Sequence, residues 1–177
     1  MINLSKGGRV NLSKDDNGNK LSKVFFGANW GAIKSGGFLG FGGGTEAVDL
    51  DASVVLMDAN KRKLETVYFG HKDSSDRAIH HSGDDLVGDT DGDDGMDNET
   101  ISVELDRIRP EVEYVAFILN SYRHQRFDKI PYMGLRIYTT ADGRPVTRPN
   151  SNPNVLAKYN LCLLYTSPSP RDRSLSR

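Results

Sequence analysis

Ile101-Ser102-Val103-Glu104-Leu105 and Tyr114-Val115-Ala116-Phe117-Ile118-Leu119 decide how the chain is to be read. In the first run apolar and polar residues alternate strictly, so an extended strand would carry its apolar side chains on one face and its polar ones on the other. In the second run both parities are apolar, which predicts a central strand covered on both faces. Outward from these two, β-branched and aromatic residues recur at 24–28, 48–57, 64–69 and 133–139, with clusters of Gly, Asp and Asn between them. Helix signals are scarce. Several short strands joined by turn-rich loops predict an all-β chain folded as a two-sheet β-sandwich.

The 177 residues suffice for one domain with a sizeable core. Its 18 glycines follow no Gly-X-Y period, no apolar run reaches the ~18 residues of a spanning helix, and no heptad stretch is present. Collagen, a coiled coil and helical insertion into a membrane are therefore excluded. The single cysteine, Cys162, offers neither an intrachain disulfide nor a Cys-based zinc ribbon. After Met1 the residues Ile-Asn-Leu-Ser-Lys-Gly-Gly-Arg hold no apolar core of a signal peptide, so the expected location is the cytoplasm. A formal net charge of −1 without a basic stripe argues against nucleic-acid binding.

The chemistry concentrates between residues 84 and 99, where eight of sixteen residues are acidic: Asp84, Asp85, Asp89, Asp91, Asp93, Asp94, Asp97 and Glu99. No Lys or Arg occurs between Arg77 and Arg107. Carboxylates crowded in this way raise one another's pKa, and a divalent cation relieves the repulsion. Calcium takes six to eight oxygens from flexible, glycine-punctuated loops, whereas magnesium keeps more of its water, so the surplus of carboxylates favours Ca²⁺. The loop is not an EF-hand: counting from Asp89, Asp94 stands where Gly belongs and Thr100 where the closing Glu belongs. Nor is it a tandem calcium repeat, since it occurs once.

Asp49 and Asp51 share one parity of a run that begins at Val48, which places both carboxylates on one strand face with no adjacent base in the sequence, ready to join a distant loop around one cation. The histidines, His71, His80, His81 and His124, lack a His-x-x-x-His pair, and adjacent His80 and His81 would point to opposite faces of a strand. No Gly-x-Ser-x-Gly elbow supports a catalytic triad. The segment from Gly36 to Gly44 lacks the spacing of a phosphate loop and reads as a loop carrying Phe38, Leu39 and Phe41.

An ordered series of motifs resembles the TerD-like family of tellurium-resistance and general stress proteins. It comprises Leu4-Ser-Lys-Gly-Gly8, Val10-Asn-Leu-Ser13, Gly27-Ala-Asn-Trp30, Asp49-Leu-Asp-Ala-Ser53, Tyr68-Phe-Gly70, His81-Ser-Gly-Asp84, Gly92-Asp-Asp94 and Leu119-Asn-Ser-Tyr122. The resemblance runs from about Asn3 to Tyr138. It implies a calcium-binding, non-enzymatic β-sandwich in cytoplasmic stress responses, often beside other Ter-type proteins that include a membrane-bound partner. The loop departs from the family pattern at Asp85 and Val87, and four residues separate Asp94 from Glu99. Either Asp93-Asp94 or Asp97-Asn98-Glu99 could fill the last ligand positions. The 36–44 segment is an insertion relative to shorter members.

Residues 162–177 are of another kind. Cys162 to Asp172 resembles a translated transposon-end adapter from DNA library preparation, a segment to be kept out of fold reasoning. The expected domain is therefore 1–161, with its C-terminal part missing and a non-native tail at 162–177. Without the tail's three Arg and one Asp the net charge is −3. Three functional classes follow: a calcium-binding stress module; an enzyme holding two Mg²⁺ or Mn²⁺ ions for phosphoryl transfer or hydrolysis, which would need basic residues near the acids; and an assembly protein using the Gly/Phe segment as a contact.

Overall fold

The computed structural model describes residues 1–5, 7–8, 13–14, 18–34, 43–149 and 151–160. Leu161, the tail 162–177 and residues 36–42 of the Gly/Phe segment lie outside the described residues. Eleven strands follow in chain order: β1 (Ile2–Asn3), β2 (Lys23–Trp30), β3 (Ile33–Lys34), β4 (Thr45–Glu46), β5 (Leu50–Met57), β6 (Lys63–Val67), β7 (Ile79–His81), β8 (Glu99–Glu104), β9 (Tyr114–Ser121), β10 (Met133–Thr139) and β11 (Asn154–Asn160). Among the described residues helix is confined to two single 3₁₀ turns, Leu105–Arg107 and Phe127–Lys129.

The large sheet runs β1-β11-β10-β2-β8-β7 and the smaller one β6-β5-β9, with β3 and β4 forming a separate ribbon. All pairs are antiparallel except β1 with β11. Alternation explains the layers. On β5, Leu50, Ala52, Val54 and Leu56 are buried and face Val24, Phe26, Ala28 and Trp30 of β2 and Ile101 and Val103 of β8, forming one core between the sheets. Phe26 of β2 stacks on Phe117 of β9 with ring centroids 4.2 Å apart, which ties the two layers across that core. Phe25 and Tyr138, of the opposite parity on the large sheet, form a smaller outer cluster with Val146 from the β10–β11 connection.

The all-β sandwich expected from the sequence is what forms, with one strand differently placed. The doubly apolar run on β9 is not central: β9 is an edge strand paired only with β5, and Tyr114 and Ile118 are 43% and 38% exposed. Val115, Phe117 and Leu119 pack on the core while the other parity faces out, so two apolar parities did not require two covering layers. The central strand of the small sheet is β5. β7 and β11 carry no strong sequence pattern; pairing with β8 and β10 makes them strands.

Candidate metal centre

Trp30 ends β2 and fixes where the acidic loop begins. Its indole is fully buried, and Nε1–H donates to Val48 O at 2.8 Å, while Val48 N–H donates to Val87 O at 2.9 Å. Trp30 N–H donates to Asn98 Oδ1 at 2.8 Å, and Asp89 N–H donates to Trp30 O at 3.0 Å. The loop is thus clamped to β2 near both of its ends. Gly88 makes the clamp possible: its φ is +73°, and a Cβ there would lie 2.6 Å from Trp30 Cδ1.

Two groups of carboxylates result. Asp49, immediately before β5, Asp51 on β5 and Asp84 at the loop entrance bring oxygens within 4.8 Å of one another, and Asp89, Asp93 and Asp94 do the same farther along the loop. Both groups could hold a metal ion. They differ in their surroundings. In the second group Asp89 accepts from Tyr132 Oη at 2.6 Å and from Asn98 Nδ2 at 3.1 Å, Asp93 Oδ1 from Asn29 Nδ2 and Gly95 N–H, and Asp94 Oδ1 from Met96 N–H. In the first group Asp49 is 2% exposed and its Oδ1 has no hydrogen-bond partner. No hydrogen bond reaches the Asp51 or Asp84 carboxylate among the described residues. A buried, unpartnered carboxylate oxygen is costly unless something positive occupies it.

The remaining acids of the loop have other tasks. Asp85 Oδ1 accepts from Val87 and Gly88 N–H, and Oδ2 from Asn98 Nδ2 at 2.9 Å, which shapes the turn. Glu99, 1% exposed, accepts from Ala52 N–H through Oε2 at 2.7 Å and from Asp85 N–H through Oε1 at 3.2 Å. Asp97 lies under Arg136, whose Nε–H donates to Oδ1 at 2.7 Å, and its carboxylate packs so closely on Gly27 that a Cβ there would overlap it. Asp91 is exposed and belongs to neither group.

His80 and His81 do point to opposite faces. His80 is exposed beside Asp73, and His81 is fully buried. Gly83 N–H donates to His81 Nδ1 at 3.0 Å, so the proton sits on Nε2, which donates to Ala52 O at 2.9 Å. The ladder between β5 and β6 stops at Val54 paired with Val67, which leaves the Ala52 backbone without a strand partner on that side. Glu99 and His81 take the place of one, and so hold the start of β5 against the loop.

Burial pushes the Asp51 carboxyl up to about 6, with Asp49, Glu99 and Asp84 adding like-charge repulsion. Burial, then Glu99 and Asp49, likewise raises Asp84. Asp89 is raised by burial against the opposing hydrogen bonds of Tyr132 and Asn98, and Asp97 by burial against Arg136. The base missing from the sequence around Asp49 and Asp51 is supplied by the fold: Arg123 Nε lies 3.4 Å from Asp49 Oδ2. Ser121 pairs with Leu50 across β9 and β5, which brings the turn after Leu119-Asn-Ser-Tyr122 beside Asp49.

The fold is a β-sandwich with a long acidic loop clamped across its end, and the carboxylates it gathers from the loop and from the start of β5 could bind a metal ion. The chain belongs to the TerD domain family, whose model matches residues 1–162. It is 42% identical over 131 residues to tellurium resistance protein TerZ of Serratia marcescens, covering 73% of this chain and 65% of TerZ. It is 34% identical over 171 residues to stress response protein SCP2 of Bacillus subtilis (strain 168), covering 90% and 77%. Among solved structures, a homologue of telluride resistance protein (TerD) from Streptomyces coelicolor A3(2) shares the fold with a TM-score of 0.52 at 18% identity, over 75% of this chain and 92% of that one. No helix among the described residues is long and apolar enough to cross a membrane.

Proposed function

We propose that this chain is a non-enzymatic, calcium-binding module of the cytoplasmic stress response, of the kind named in its relatives for tellurium resistance. The observation that carries this reading is the buried, unpartnered Oδ1 of Asp49 among three carboxylates. The donors are all oxygen, they come from a loop and a strand end, and they outnumber what a mostly hydrated Mg²⁺ uses, which together favour Ca²⁺. Asp49, Asp51 and Asp84 form the primary site, and Asp89, Asp93 and Asp94 a second. Asp85, Asp97 and Glu99 hold the loop, and Asp91 adds to its field. An enzymatic reading would need a cation to hold a phosphate; Arg123 is paired with Asp49 and Arg136 with Asp97, so that reading would have to use Lys72, whose Nζ lies beside Gly83. Other Ter-type proteins, one membrane-bound, are the partners this reading expects. Calorimetric titration with Ca²⁺ and Mg²⁺ tests the proposal. Calcium binding that Asp49→Ala weakens at least tenfold supports it, and absence of calcium-dependent heat with an unchanged melting temperature refutes it.

A further inference from the structure

Arg123 is the one cation within 4 Å of the Asp49, Asp51 and Asp84 carboxylates among the described residues. Its position is imposed by its neighbours. Tyr122 N–H donates to Asp49 O at 3.0 Å, and Gln125 Nε2 donates to Ala47 O at 2.8 Å, so the chain on both sides of Arg123 is strapped to the segment that carries Asp49. The two partners differ in exposure. The Asp49 side chain is 3% exposed and that of Arg123 is 50%, so the guanidinium meets the buried carboxylate from the solvent side, held beside it by the strapped backbone.

We propose that Arg123 is a tethered counter-ion that sets the charge selectivity of the Asp49–Asp51–Asp84 site, a positioning residue that makes the site suit a divalent rather than a trivalent cation. The inference rests on the calcium reading above. A fixed positive charge opposes a bound cation with an energy proportional to that cation's charge. Removing it therefore strengthens binding of a trivalent ion more than that of a divalent one, in a ratio of about 3:2 on a logarithmic scale. A residue that merely held the turn in place would change the affinity for both ions alike.

The test is titration of the full chain with Ca²⁺ by calorimetry and with Tb³⁺ by its sensitised luminescence, on the wild type, Arg123→Gln, Arg123→Met and Arg123→Lys. Arg62→Gln, in the remote turn between β5 and β6, controls for the loss of one surface charge. Both neutral variants should raise Ca²⁺ affinity about three- to tenfold and Tb³⁺ affinity by a larger factor. Arg123→Lys should remain near the wild type, and Arg62→Gln should change neither affinity. Met keeps an aliphatic stem, so it carries the measurement if Gln fails to fold. An unchanged Tb³⁺-to-Ca²⁺ ratio, or a fall in Ca²⁺ affinity, in the neutral variants overturns the proposal while leaving the calcium reading intact. A wild type that binds neither ion overturns both.

Discussion

Asp51 faces the largest conflict between burial and charge in the candidate site. Its carboxyl titrates near 6 in the folded chain against an ordinary value of 3.8. A carboxyl that holds its proton more tightly when folded contributes stability that is complete below its unfolded pKa and is lost as pH rises through the folded one. Without calcium, melting temperature should therefore fall between about pH 4 and about pH 6 on account of Asp51, and Asp51→Asn should flatten that slope. With calcium the sign of the effect on binding follows from competition: the proton must leave before the cation enters, so calorimetric affinity should be weaker at about pH 5 than at about pH 7.5. Glu99→Ala acts through structure instead. It leaves the buried Ala52 N–H and the half-buried Asp85 N–H without their acceptor, and chemical denaturation should register a loss of about 1–3 kcal/mol. At this scale the sequence identified acids but not their tasks. Asp85 and Glu99 are of the same type as Asp49 and Asp84, and only the direction of backbone N–H groups assigns them to holding the loop.

At the scale of elements, Trp30 ties the acidic loop to β2 and to Val48. Trp30→Phe removes the donor to Val48 O and leaves a gap in the core, and it should cost about 2–4 kcal/mol. Hydrogen exchange of the 84–98 backbone should speed up in the variant relative to the wild type by more than that of β10 does. Unchanged protection of the loop in the variant would mean that the indole bond to Val48 does not support it, since the backbone bonds of residue 30 to Asp89 and Asn98 are kept. Strands with regular alternation, such as 101–105, were legible because burial on one face leaves a period of two. β9 was misplaced because an edge strand with apolar residues outward reads like a covered one. β7 was invisible because Ile79-His80-His81 becomes a strand only by pairing with β8, a contact between residues about twenty positions apart. Arg123 carries no signal in the sequence for the same reason: 74 positions separate it from Asp49, and the β5–β9 register brings them together.

For the whole molecule, a cation held by Asp49, Asp51 and Asp84 would join the β5 end of the small sheet to a loop anchored on the large one. Calcium at 100 times its Kd should add roughly 2.7 kcal/mol to the stability of the full chain. A 161-residue form should melt within a degree or so of the 177-residue form, since Pro168, Pro170 and scattered arginines suit no central strand. A loss of several degrees on truncation would show that the tail packs and is not adapter-derived. The measurement that bears most directly on the proposed calcium site is anomalous diffraction from crystals grown with calcium. The account predicts a peak at about 2.3–2.6 Å from oxygens of Asp49, Asp51 and Asp84. A calcium-saturated crystal with no peak between those three carboxylates would contradict it.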